Sequence, residues 1–453
     1  MNRSFHIPFM IGSGLLLVLG SMGNSTAADF RVGAAGVELQ GENSMPIAGS
    51  IQPWFAKGQE GMLRATAVVI EKPSMTKVAI VSVDVLMLTR DLLDPVAAEI
   101  ERDWGIPAAH VLVHTTHTHH APSTIRVHAY DRDEVFCRRV QQAIVQAVKE
   151  ADAKLADGVF HFHLGKEETV GQNSRMLLTD GTIYWVGPRD DVVRPTGPFD
   201  SDLPVLAFRG PAGQLLAVLF GHSTHTIGGL TGGVRSPAFY GMAAQRMETD
   251  LGGVFAFLQG ASGSTHRLAP DPPEASRRIE AAVRDALSRS QPQPAAKLAA
   301  VKRPFTFRVR TFDEAAEERA VTEYCTKRIG GGAPGVIEVF RTMRRELAPL
   351  QGQERTTWIQ AIRIGDVAIV GVPAEFFTSL GVDLKRRSPL PHTMIAELSN
   401  DWIGYLPDRE AHTLGGYQVW TGFHSYAEPG TGERLVDEAV QMLQELAARE
   451  TGR

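Results

Sequence analysis

The residues best suited to do chemistry in this chain of 453 residues form two histidine groups. Thr116-His117-Thr118-His119-His120 follows the apolar stretch Val111-Leu112-Val113, and His222 and His225 follow the apolar run Leu215 to Phe220. On an extended segment, residues two apart project to the same side, so His117 and His119 leave the end of theirs together. Imidazole is the commonest nitrogen ligand for zinc, and a catalytic zinc keeps one position for water. Two such clusters at strand ends point to a metal-centred or catalytic site more than to scattered surface histidines. His117 and His222 are the imidazole candidates. Glu375 follows the apolar run Val367 to Val372, and Tyr405 ends the polar, aromatic stretch that begins at Leu398. Each alone has an ordinary reading: a glutamate at a helix start suits the helix dipole, and a loop tyrosine packs.

The elements that must position these residues are legible in the hydrophobic pattern. Lys77 to Met87 is a near-continuous apolar, β-branched run, as expected of a strand buried on both faces. Further strands are expected at His110–His114, Gly158–Leu164, Leu203–Phe208, Leu215–Gly221, Val254–Leu258, Trp358–Ile364, Val367–Val372 and Thr393–Glu397, with another opening at Leu298. Helical periodicity marks Leu92–Trp104, Glu134–Glu150, Tyr240–Thr249, Glu274–Ser288, Asp313–Lys327 and Arg434–Ala448. Gln291-Pro292-Gln293-Pro294 reads as a linker, and Gly330–Gly335 as a loop. No internal repeat is detectable. Strands alternating with helices argue for an α/β architecture around one large sheet system.

A formal net charge of −5 and the lack of a long basic block exclude nucleic acid as the expected partner. Cys137 and Cys325 lie far apart and fit no thiolate metal pattern, so two buried free thiols are favoured over a disulfide. Arg3, the apolar core Ile11–Leu19 and the small residues Ser25-Thr26-Ala27-Ala28 read as an export signal over residues 1–28. The mature chain, residues 29–453, is therefore expected outside the cytoplasm, secreted or periplasmic.

In combination these blocks resemble the N-terminal catalytic domain of the neutral/alkaline, non-lysosomal ceramidases. Val113 to Pro122 resembles that family's T-H-T-H-S-G-P block, the most specific match, and Phe220-Gly221-His222-Ser223-Thr224 resembles its second histidine block. Val372 to Thr378 is similar to its P-G-E-x-T block, and Ser399 to Glu410 to its S-N-x-Y-x-G-Y-x-x-x-R-E block; Val32–Gly36, Leu63–Ala67 and Val78–Met87 resemble its opening segments. The resemblance implies a single large mixed-sheet α/β domain with helices packed on the sheets. It also implies zinc bound by His117, His222, Glu375 and Tyr405, with His119 and Tyr405 stabilising or protonating developing charge. The implied reaction is hydrolysis of the amide between a fatty acyl chain and a sphingoid base. A lipid amide substrate further implies peripheral contact with a membrane; no oligomeric state follows. The family's G-D-V-S-P-N segment corresponds to Gly263–Leu268, placing His266 where the family has a serine, as an acid or base or as a packing residue. Its N-R block becomes Asn173-Ser174-Arg175, with Arg175 as the substrate-binding candidate or a solvated side chain. These departures support metal binding more firmly than ceramide specificity. They leave open a metallohydrolase of another bond or a non-catalytic metal-binding relative.

Overall fold

A computed structural model describes residue 1 and residues 30–267, 269–293 and 297–448. The expected export segment lies outside the described residues except for Met1. The first strand, β1 (Phe30–Glu38), is followed by β2 (Arg64–Lys72), β3 (Thr76–Val83), helix α1 (Arg90–Trp104), β4 (Val111–Thr115) and α2 (Glu134–Ala153). The order then recurs: β5 (Ala156–Lys166), β6 (Asp202–Arg209), β7 (Leu215–His222), α3 (Ala238–Leu251), β8 (Val254–Gln259) and α4 (Pro272–Arg289). It recurs again from β9 (Leu298–Arg308), after an inserted helical hairpin of α5 (Glu314–Arg328) and α6 (Ala333–Leu347). There follow β10 (Glu354–Ile364), β11 (Val367–Gly371), α7 (Thr378–Arg387) and β12 (His392–Ala396), then the short α8 (Arg409–Leu414) and α9 (Thr431–Ala448).

The pairing is the same each time. The first three strands of a unit pair antiparallel, and the third pairs parallel with the fourth across a helical crossover. Two units join edge to edge through β1 and β5 into one sheet, ordered β8-β7-β6-β5-β1-β2-β3-β4, while β9-β10-β11-β12 forms a second sheet. The expected mixed-sheet α/β architecture is thus present, built as three β-β-β-α-β-α units that show no repeat in sequence. Gln291–Pro292, read as a linker, pairs with β5.

Strand alternation divides each sheet between two cores. In β3, Ala79, Val81 and Val83 face α1 and α2, whereas Val78 and Ile80 face a central core shared by all three units. That core takes Leu112 from β4, Leu219 from β7, Ile369 from β11 and Met394 from β12. The outer faces of units two and three are covered in the same way by α3 with α4 and by α7 with α9. Being buried on both faces is why these strands read as unbroken apolar runs. Helix α2 starts on Asp133, whose side chain accepts from the Phe136 amide. It lies so close to β1 that a Cβ at Gly33 would come within 2.0 Å of the Ala151 carbonyl oxygen, which only glycine tolerates. Among the described residues, no helix is long and apolar enough to cross a membrane.

The carboxyl ends of the three fourth strands meet. His114 Nδ1 donates to the Glu397 carbonyl (2.6 Å), its Nε2 accepts from the Gln259 amide (2.8 Å), and the Glu397 amide donates to the Gln259 carbonyl (2.9 Å). This buried ring, one residue from each unit, is the floor of the site.

Candidate metal centre

The loop leaving β4 turns sharply at His117, which is held at φ 60°, an uncommon conformation for a residue with a Cβ. Its neighbours fix the turn: Thr116 Oγ1 donates to Asp84, and Thr118 Oγ1 to the Ser236 carbonyl. The loop leaving β7 carries His225 to the same place, the loop after β11 carries Glu375, and the chain after β12 returns Tyr405. Glu375 and Tyr405 are neighbours in a short parallel pair, 375–376 with 405–406.

Three imidazoles converge there. His117 Nδ1 donates to the Leu86 carbonyl (3.0 Å), His119 Nδ1 to that of Gly49 (2.8 Å) and His225 Nδ1 to that of Ser262 (3.2 Å). With the proton held on Nδ1, each Nε2 presents a lone pair. Those lone pairs face one another: Nε2 of His117 lies 2.8 Å from Nε2 of His225 and 3.3 Å from Nε2 of His119. Glu375 Oε2 lies 3.6 Å from both His117 Nε2 and His225 Nε2. Its other oxygen accepts from Trp402 Nε1 at 3.2 Å, and the Tyr405 hydroxyl donates to the same carboxylate. Acceptors facing acceptors at these distances repel unless a cation or a proton stands between them. Burial drives the histidines away from protonation: His117 falls to about 4, and His119 and His225 fall well below the ordinary value. Burial also lifts the Glu375 carboxyl to about 7, against the hydrogen bonds from Tyr405 and Trp402. A divalent cation between the three ring nitrogens, which lie within 4.8 Å of one another, would relieve this repulsion, and imidazole with carboxylate is a donor set that zinc accepts.

Polar groups behind the donors hold them in place. Glu397 accepts from the Ser262 amide and hydroxyl and from the Phe376 amide, so one carboxyl braces both the His225 and the Glu375 loops. Gln259 bonds Thr226 and Ser262 from the same floor.

The structure brings His117, His119, Glu375 and Tyr405 close to one another, but not His222. That ring, the last residue of β7, is buried elsewhere: Nδ1 sits 2.5 Å from the Tyr240 hydroxyl and Nε2 3.1 Å from the Glu167 carbonyl. Both nitrogens are satisfied within the fold, and His225, three residues on, occupies the cluster. His266 lies beside it, half-buried, with its ring 4.6 Å from that of His225 and its Nε2 lacking a hydrogen-bond partner among the described residues. Arg175 is 1 % exposed and does not face the cluster. Its guanidinium donates to Gln418 (2.9 Å) and to the Gly415 carbonyl (2.7 Å), holding the loop after α8. Both cysteines are buried and free, as expected.

Above the cluster is a cavity of about 30 Å³, walled by Tyr130, Trp402, Tyr405, Tyr417, His128 and His424. Tyr417, His128 and His424 were not picked out from the sequence; an aromatic and histidine content in a loop was their only signal. Tyr417 stacks on Trp185 (4.5 Å, 3°) and its hydroxyl lies 3.2 Å from His128 Nε2.

No protein-family model and no curated protein matches this chain. Among solved structures, neutral ceramidase from Pseudomonas aeruginosa aligns with a TM-score of 0.71 at 19 % identity, covering 92 % of this chain and 75 % of that one. A ceramidase complexed with C2 aligns with a TM-score of 0.72 at 18 % identity, over 93 % and 76 %. The fold is therefore that of the neutral ceramidases. The resemblance first drawn from short motifs extends to the three-dimensional course of nearly the whole chain.

Proposed function

We propose that this protein is an exported, zinc-dependent hydrolase of amide bonds, ceramidase-like, formed by one catalytic domain over residues 29–453 and acting on an N-acyl lipid or a related N-acyl amide. The observation that carries the reading is the convergence of three unprotonated Nε2 atoms and the Glu375 carboxylate on one point in a ceramidase fold. His117, His225, Glu375 and Tyr405 are the assigned ligands. His119 completes the nitrogen cluster and, as its partly exposed member, is the group through which a proton reaches solvent. A zinc ion bound there supplies Lewis acidity toward a carbonyl oxygen and lowers the pKa of a bound water. Tyr405, whose burial keeps its phenol protonated, is placed to donate to developing negative charge. His266, with a free ring nitrogen, stands where a proton could be held near the leaving amine. The apolar N-terminal segment supports export.

The tightness of the cavity favours one other reading, a metal kept for stability without turnover. Metal analysis of the purified protein, paired with a screen of N-acyl amides with and without chelator, separates the two. About one zinc per chain is expected, with hydrolysis that stops on chelation and returns with zinc. Zinc-loaded protein that hydrolyses no N-acyl amide would sink the catalytic reading.

A further inference from the structure

The cavity over the metal cluster has room for about two or three waters, so an atom that enters it meets the polar groups of its walls at close range. Most of those groups are committed within the protein. Tyr405 gives its proton to the Glu375 carboxylate, and Trp402 Nε1 donates to the same group at 3.2 Å. The Tyr417 hydroxyl lies 3.2 Å from His128 Nε2; because His128 Nδ1 donates to the Ser50 carbonyl (3.3 Å), that Nε2 is bare and the phenol is the donor. His424 Nε2 donates to the Tyr417 carbonyl at 3.1 Å.

Tyr130 differs. Its ring is buried among Ala48, Leu86, Met87 and Ile125. Its oxygen accepts from the Gly49 amide at 2.8 Å, so its own proton points elsewhere, and no acceptor for that proton occurs among the described residues. Gly49 lines the same cavity, and its carbonyl accepts from His119 Nδ1 at 2.8 Å. One residue thus ties the hydroxyl to the metal cluster. Only glycine fits there: φ is 105°, and a Cβ would come within 2.5 Å of the His119 ring. Burial, with the nearby Glu375 carboxylate adding to it, lifts the Tyr130 phenol above its usual range, so it stays protonated. A hydroxyl whose oxygen already accepts is the stronger donor for it. A buried donor left without an acceptor costs free energy until a ligand or a water supplies one.

We infer that Tyr130 is a further catalytic residue, whose phenol donates a hydrogen bond to the carbonyl oxygen of the scissile amide as negative charge develops on it. This rests on the amidohydrolase reading and adds a donor to it. No proton is transferred: Tyr130 keeps its own throughout, while the Gly49 amide fixes the position of its oxygen before the substrate arrives.

The test uses the full-length zinc-loaded protein and Tyr130→Phe, which removes the hydroxyl and keeps the ring. Zinc content should stay within about twofold, while kcat for an N-acyl amide falls about 100-fold and KM moves by less than about threefold. Binding separates contact with the ligand from mere support of His119. Acetohydroxamate brings an oxygen that accepts from Tyr130, whereas ethanethiol reaches the zinc through sulfur, a weak acceptor. Tyr130→Phe should weaken the first about tenfold and leave the second within about twofold. Equal losses for both ligands, or loss of zinc, would make Tyr130 a support for His119 and overturn the inference. If no amide is cleaved but the hydroxamate alone is weakened, the donor stands and the hydrolase reading falls. If amides are cleaved at an unchanged kcat, the reverse holds. A chain that takes up no zinc ends both.

Discussion

The two halves of the large sheet, residues 30–153 and 156–289, run through the same order of elements and load it differently. In the first half the chemistry lies beyond β4, where His117 and His119 leave together. In the second it lies beyond β7, where His225 reaches the cluster, while the segment leaving β8 supplies the supporting Gln259 and Ser262 and sets His266 beside the His225 ring. The scaffold delivers the loops after its parallel strands to one point; which of them carries a ligand is a property of the loop. The contrast is sharpest within a single segment. His222 ends its strand with both ring nitrogens occupied by Tyr240 and Glu167, and three residues later His225 faces the metal position.

The strongest way to break this comparison is to remove each histidine in turn. His225→Ala should weaken zinc binding at least about 100-fold, measured by competition with a chromophoric chelator, because a ligand is lost outright. His222→Ala should leave zinc binding within a few-fold but cost about 2–4 kcal/mol in denaturant unfolding of the chelated protein, as it opens a buried gap and strips Tyr240 of its partner. Loss of zinc from the second variant and not the first would reverse the assignment.

A pH series sharpens the role of the third unit. The Glu375 carboxyl is raised by burial to about 7 in the metal-free fold. The neutral form is therefore the one the apo fold prefers. Its contribution is fully present below the unfolded value of about 4.3 and is lost as pH rises through about 7, for a change of about 4 kcal/mol at most. Chelated protein should lose stability between pH 5 and 8, Glu375→Gln should lose less, and zinc should restore the wild type at the alkaline end. An equal slope in the variant would assign the effect to Asp84, which burial also raises to about 7.

The smallest effect tests the floor that both halves share with the third unit. Glu397→Gln keeps the size but turns an amide toward donors from Ser262 and Phe376. It should cost about 1–3 kcal/mol and weaken zinc about tenfold. Unchanged zinc affinity would mean that the ring braces the fold without positioning the ligands.

Much of the architecture was readable because its strands are buried twice over. Lys77–Met87 and Val367–Val372 announce themselves as apolar runs, and the helices beside them keep a clean amphipathic period. The H-x-H pair at 117 and 119 was readable because alternation on an extended segment is a local rule. The triple recurrence was not, since any β-branched residues of fitting volume satisfy a two-faced strand and three copies need share no letters. Nor could spacing choose between His222 and His225, because local pattern shows where a strand ends but not which partners its last side chains meet.

Residue types and their local order thus determined the element menu, the donor inventory and the resemblance to a known hydrolase scaffold. Only the tertiary structure decided which imidazole nitrogens face one another, that Arg175 clamps a loop, and that the Tyr130 hydroxyl keeps an uncommitted proton beside the metal cavity. Those outcomes depend on contacts between segments up to several hundred residues apart, and packing geometry, not sequence neighbourhood, sets them.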